Sequence, residues 1–485
     1  MKKYKKIGTQ LGGSYLSNAV VFITSFFLIT LLARNLSVKE FGVYSILAAT
    51  ITVSSVVLDL GITQYIIAKL PQKRKTSDAF FSILLFESAF VMFVIAFIAL
   101  TPVRNYLISF LKLENFRTEF YTALLVVFFG TLWRFFSNYY QARKNIGYAN
   151  FILILQQCLW VFFLLVFYSA TLKISLNSVF LMWLFGSAAT LLVALFGIRK
   201  EFFLFLKMKK FDKKSVKKSL TFGLPLLLFY IGAWTLEVGN RYVINFFLGA
   251  EKVALFALLY SLLGVILAIS TTVSATFYPY ISEVWRNKQR FVILLNTAVK
   301  YSLIFIIPSL AGFFILQKQI ITMVSGEKYI SALQILPWMI FIPLISAAVY
   351  IMYLVMLLKN QTRKVGLAYL FTAFFSVASS ILLIQKLGLI GVAISMLASY
   401  AILFLILYFN VKEEIILDWK FVKLERIIFA SVLMALLIYF INPQTALSKI
   451  LSIIAGAVAY LCFLFILKVF GKTEILLIRN LIMRK

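Results

Sequence analysis

Long apolar stretches alternate with short polar connections along the whole chain, and a helix needs about 18–25 apolar residues to cross a hydrocarbon core of roughly 30 Å. Such runs fall near 14–33, 41–66, 79–101, 119–140, 151–171, 177–198, 219–247, 253–278, 297–316, 333–358, 365–384, 389–410, 427–441 and 446–467. The pattern predicts fourteen transmembrane helices, referred to below as spans 1 to 14. The first run follows MKKYKK but ends in Arg34-Asn35 with no small-residue cleavage site, so it reads as a retained helix and not as a signal peptide. The connection 102–118 and the segment 317–332 read as short interfacial helices.

A weak repeat organises these spans. Shifted by 212 residues, LSVKEFGVYS at 36–45 lies over LGAEKVALFA at 248–257, with Leu36 on Leu248, Gly42 on Ala254 and Tyr44 on Phe256. The same shift superposes whole spans, which predicts two six-helix lobes around a shared interior, and internal repeats of this kind mark transporters. The expected fold is an all-α polytopic membrane protein. Residues 1–198 form one lobe (spans 1–6) and 219–411 the other (spans 7–12). Between them lies a basic cytoplasmic linker at 199–218, whose mixture of Phe, Leu and Lys suits a helix at the membrane surface. An amphipathic connection at 412–426 leads to two extra C-terminal helices and a tail, 427–485.

Residues three or four apart share a helix face, which sorts the polar positions inside spans into stripes. Span 1 carries Ser14, Asn18 and Ser25. Span 7 carries Tyr230, Trp234, Glu237 and Arg241 at spacings of 4, 3 and 4. Span 2 carries Asp59 and Thr63, and span 8 carries Thr271 and Ser274. The repeat offset puts Asn18 on Tyr230, Ser25 on Glu237 and Asp59 on Thr271, so spans 1, 2, 7 and 8 present equivalent polar faces. An aqueous cavity between the lobes is the economical place for them. Asn18, Ser25, Asp59, Arg134, Tyr230, Trp234, Glu237, Arg241, Thr271 and Ser274 are accordingly the candidate substrate-binding residues. For the Ser and Thr positions, helix–helix packing is the competing reading. Ionisable residues are costly in a span and mark pathways or buried pairs. Glu87 on span 3 and Arg134 on span 4 read as a structural ion pair. Glu237 and Arg241 stand in the order that favours an intrahelical pair, which competes with a role for Arg241 in binding phosphate.

Composition narrows the function. Hydrophobic residues make up 62% of the chain and charged residues 13%, which excludes a soluble enzyme. The formal net charge of +31 is largely topological. Connections after even-numbered spans, with both termini, hold 34 Lys and Arg against 11 after odd-numbered spans, so the positive-inside rule places both termini in the cytoplasm. Contact with anionic lipids follows from the same charge, and nucleic acid binding does not. The chain has no His, and its two cysteines, Cys158 and Cys462, each sit in an apolar span, so neither a metal nor a disulfide framework is suggested. No outward connection is long enough to carry the carboxylates and metal site of a glycosyl-transfer domain.

LSVKEFGVYS at 36–45 with LDLG at 58–61, SGEKYISALQILPW at 325–338 and LLIQKLGLIGVAIS at 382–395 together give the chain a family likeness. It resembles the polysaccharide-biosynthesis flippases, the O-antigen type transporters of the multidrug/oligosaccharidyl-lipid/polysaccharide exporter superfamily, over spans 1–12. The resemblance implies two MATE-like lobes around a cavity that opens alternately to either side of the plasma membrane. It implies as substrate a polyprenyl-(pyro)phosphate-linked oligosaccharide moved to the outer leaflet, and as partners a glycan polymerase and glycosyltransferases. No cofactor is implied, and coupling to H⁺ or Na⁺ is left open. A multidrug or cation antiporter of the same fold, with Asp59 and Glu237 as coupling acids, is one alternative. A membrane glycosyltransferase or polymerase is another, and a non-transporting scaffold a third.

Overall fold

The computed structural model describes residues 2–69, 77–199, 211–441, 443 and 445–470. Every regular element among them is helical. Among the described residues twelve helices are long and apolar enough to cross a membrane, and a bent pair, Glu327–Met339 with Ile342–Leu358, makes thirteen. The expected count of fourteen is not reached by this measure, in which the described part of the first helix counts only as a shorter apolar helix, Ala19–Asn35. The protein is a multi-pass membrane protein.

The chain divides into two compact units. One comprises Met1–Leu258 with Tyr369–Val392, the other Leu259–Ala368 with Ala393–Lys485. In the first unit span 7 packs closely against span 11. A Cβ on Gly232 would lie 3.0 Å from the backbone of Leu370 on span 11. One turn or two further along, buried Asn240 bonds to Ser376 at 3.3 Å and accepts from the Ser380 hydroxyl at 3.0 Å. Span 7 also meets the turn after the interfacial helix Val103–Phe110: Asn245 Nδ2 donates to the Leu111 carbonyl and Lys112 Nζ to the Phe246 carbonyl, each at 2.7 Å.

The repeat is visible in where helices begin. Span 2 starts at Val38 and span 8 at Ala250, residues separated by the repeat offset. Ser37 caps the first, accepting from the Glu40 N–H while the Glu40 carboxylate accepts from the Ser37 N–H. The second follows Gly249 at φ +83°. Gly42, one turn into span 2, lies directly on the Ala250 backbone, so the repeated motif brings the two helix starts into contact.

The copies differ further in. Span 2 is broken: its helix stops at Leu58, Leu60 (φ +51°) and Gly61 (φ +69°) turn left-handed, and a short helix Ile62–Lys69 follows. Span 8 runs unbroken from Ala250 to Glu283. Of the linker at 199–218, residues 200–210 lie outside the described residues, and Lys213 already begins the helix of span 7 with Asp212 as its cap.

In the second unit, the connection 412–426 is pinned to its surroundings. Asn296 of span 9 accepts from the Asp418 N–H and donates to the Ile416 carbonyl, both at 2.8 Å. Glu414 pairs with Lys359 at 2.6 Å. Lys423 and Arg426 donate to the last carbonyls of span 14, at Lys468 and Leu467, where cations oppose the helix dipole. Orientation is tested by labelling. A cysteine at exposed Lys213 should react only with cytoplasmic reagent and one at exposed Lys386 only with external reagent. External labelling of position 213 in intact cells would invert the charge-based topology.

Candidate functional site

The break in span 2 gathers one set of candidate residues. Asp59 ends the first helix, and its carboxylate accepts from the Thr63 hydroxyl at 2.9 Å and the Thr63 N–H at 3.3 Å, so it caps the short helix that follows. Gly61 is glycine for two reasons: it is left-handed, and a Cβ there would lie 2.5–2.7 Å from the backbone of Gly223 on span 7. That contact brings span 7 onto the break. Tyr230, two turns along span 7 from Gly223, feels the charges of Asp59 and of Arg134 on span 4. Glu87 of span 3 completes the group, fully buried, with Asp59 and Arg134 the charges acting on it.

Neither Glu87 oxygen has a hydrogen-bond partner among the described residues. Glu87, expected to pair with Arg134, stands in a group of three, since Arg134 and Asp59 both act on it. Sequence spacing could not find this, since the partner stands on a neighbouring span at a break that the apolar pattern conceals.

Further along span 7 the expected stripe is interrupted. The α-helix Lys213–Trp234 gives way to a π-helical turn at Thr235–Gly239 before the helix resumes at Asn240–Leu248. A π turn adds one residue to the ladder, but residues four apart across it still lie near one face, so the turn by itself does not part Glu237 from Arg241. Arg241 instead donates from Nη1 to the Ser45 carbonyl of span 2 at 3.1 Å, with Tyr44 and Tyr242 in its field. Tyr242 in turn shares a 2.8 Å hydrogen bond with Thr50. Glu237 is solvent-accessible, and no charged group among the described residues, Arg241 included, acts on it. The intrahelical pair expected from sequence is thus not what span 7 builds. Trp234 packs its ring 5.7 Å from that of Tyr242, and its Nε1 is buried with no hydrogen-bond partner among the described residues.

The remaining candidates are placed apart from these groups. Ser25 donates to Val21 O at 2.8 Å and accepts from Gln157 Nε2 on span 5 at 3.1 Å, a packing role. Thr271 donates to the Ala268 carbonyl of its own helix at 3.0 Å, in the second unit. The side chains of Asn18 and Ser274 lie outside the described residues. Among the described residues no group of three or more His, Cys, Asp or Glu could hold a metal ion.

Residues 31–334, more than half of the chain, match the family model described as polysaccharide biosynthesis protein. The chain belongs to the polysaccharide biosynthesis protein family. No curated protein sequence matches this family member. Its fold is similar to that of the lipid II flippase MurJ in an inward closed conformation, at TM-score 0.77 and 17% identity, covering 93% of this chain and 97% of that one. It is also similar to the MATE multidrug transporter DinF-BH (TM-score 0.62, 12% identity, 88% and 96% covered). A third likeness is to an inward-facing MATE family transporter (TM-score 0.59, 15% identity, 83% and 95% covered). The fold of this polysaccharide biosynthesis protein is therefore like that of MurJ and the MATE transporters, as the motifs at 36–61, 325–338 and 382–395 implied.

Proposed function

We propose that the protein is a flippase of the plasma membrane that moves a polyprenyl-(pyro)phosphate-linked oligosaccharide from the inner to the outer leaflet by alternating access. The observation that carries this reading is the family itself, met in a chain whose described residues are membrane helices joined by short connections. A polysaccharide pathway needs a step in which a polar glycan crosses hydrocarbon, and a helical membrane protein of transporter fold suits that step better than it suits bond-making chemistry. It is read as a transporter, not an enzyme.

The glycan and its phosphate need polar contacts within the membrane. On this reading Asp59, Arg134, Tyr230, Trp234, Glu237 and Arg241 face the substrate in the first unit. Arg241 is the first candidate for a phosphate oxygen, because guanidinium binds phosphate in a fork that lysine cannot reproduce. The lipid tail needs an apolar groove. The second unit holds a cavity of about 420 Å³ walled by Leu303, Ile307, Met352, Phe404 and Ile428, with Trp419 of the pinned connection at its side. Span 13 contributes to that wall through Leu424 and Ile428, which gives the extra C-terminal helices a place in tail binding.

Depletion of the protein should stop a surface glycan from appearing while its lipid-linked precursor accumulates on the cytoplasmic side. Failure to make the precursor would instead assign the protein to synthesis. Drug resistance in a sensitised host, with glycan export unaffected, would favour the antiporter reading.

A further inference from the structure

The two copies of the repeat differ in what lies against one helix. Span 3, Ser77–Leu100, and span 9, Lys288–Ile315, begin within one residue of the repeat offset, so positions of one have counterparts in the other. In the second unit one face of span 9 is covered by spans 13 and 14. Ile304 is 3% exposed, in an apolar cluster with Met434, Ile438, Tyr460 and Leu464, and Tyr301 packs against the same cluster. The Tyr460 hydroxyl donates to the Ile304 carbonyl at 2.8 Å, an acceptor left open because Pro308 has no N–H. A Cβ on Gly312 would stand 3.7 Å from the end of the Met434 side chain. Tyr301, Ile304, Pro308 and Gly312, at helical spacings of 3, 4 and 4, thus mark the covered face.

The offset carries these four residues onto Ala89, Met92, Ala96 and Leu100 of span 3. There the face is open: Met92 is 60% exposed and Leu100 80%, and Ala89 is exposed as well. Span 3 is the least buried of the twelve long apolar helices among the described residues, at 17%.

We propose that two copies of the protein associate through span 3, the helix of a second copy taking the place that spans 13 and 14 take on span 9. The face fits a copy of itself. Leu85, Ala89, Met92, Ala96 and Ala99 stand at spacings of 4, 3, 4 and 3, the seam of a parallel pair of helices, and none of the five is buried. Alanine at alternate layers lets two backbones approach closely in lipid, between the bulk of Leu85 and Met92. Glu87 is the only charged residue from Ala79 to Leu100, and it is fully buried away from this face, so two identical faces meet no like charge. Copies of a membrane protein share one orientation. A two-fold axis along the membrane normal therefore sets span 3 against span 3 in parallel, like residue on like residue. The interface does not depend on what the protein carries.

The test is oxidative cross-linking of the full-length chain in native membranes, with Cys158→Ala and Cys462→Ala removing its own cysteines. Met92→Cys, and separately Ala96→Cys, should give a band of twice the chain's mass. Phe162→Cys, at an exposed position of span 5, should not. Adding Ala96→Phe to Met92→Cys should lower the cross-linked fraction about tenfold, because bulk forced into a packed layer parts the helices. Neither Met92 nor Ala96 is buried within one copy, so these variants spare the fold, and each cysteine position tests the face without the other. Cross-linking at Met92→Cys no stronger than at Phe162→Cys would overturn the proposal and leave lipid as the cover of span 3. An adduct of Met92→Cys with a different protein would overturn it as well, giving the face to another protein's helix.

Discussion

Gly61→Ala should leave little folded protein in the membrane, with a loss of stability of about 3 kcal/mol or more. Two independent terms add. A non-glycine residue at φ +69° costs roughly 1–2 kcal/mol, and forcing an atom into a packed contact costs about 1–3 kcal/mol. Relief by a rotamer change is closed off, because the atoms met are the Cα and carbonyl of Gly223 and not a flexible side chain. Gly264→Ala is the matched comparison: it lies within the unbroken helix of span 8 with nothing within 4 Å of the new Cβ, and it should be neutral or gain about 0.5–1 kcal/mol. Thermal melting of the two purified variants reads the difference directly. A Gly61→Ala protein that melts with the wild type would mean that spans 2 and 7 do not touch at the break.

Arg241→Lys should reduce glycan export about tenfold or more while membrane levels of the protein hold. Charge-assisted hydrogen bonds contribute about 1.5–3 kcal/mol, and a lysine at this position loses the planar fork needed to hold the Ser45 carbonyl and a phosphate oxygen together. The informative variant is the double change with Glu237→Gln. Were Arg241 a neutralising partner of Glu237, removing both charges would restore function, because breaking one side of a buried pair is what costs. Arg241 is held by the Ser45 carbonyl and no charge among the described residues acts on Glu237, so the double variant should behave as the single one, with coupling within about 0.5 kcal/mol of zero. Full export by the double variant would end the phosphate role.

Much of the fold was legible because burial in lipid demands long apolar runs, and the helix starts at Val38 and Ala250 stand at the offset the repeat implied. The features that shape the candidate site were hidden for specific reasons. A helix can break at Asp59-Leu60-Gly61 without any loss of hydrophobicity, so the run 41–66 reads as continuous although LDLG marks its interruption. The stripe on span 7 was read with α-helical spacing, and nothing in the spacing itself announces a π turn. The equivalence of Asp59 and Thr271 was legible as alignment, but an unbroken span 8 gives Thr271 an intrahelical bond where Asp59 caps a new helix. Glu87 was legible as costly and as facing Arg134, but the influence of Asp59 on it was not, because contacts between spans leave no periodic trace.

The π turn at Thr235–Gly239 also has a genetic meaning. A chain one residue shorter between Trp234 and Asn240 would run on as plain α-helix and shift Asn240 and Arg241 off Ser376, Ser380 and Ser45. A single deleted codon would thus uncouple span 7 from spans 11 and 2 without removing any of the residues that join them.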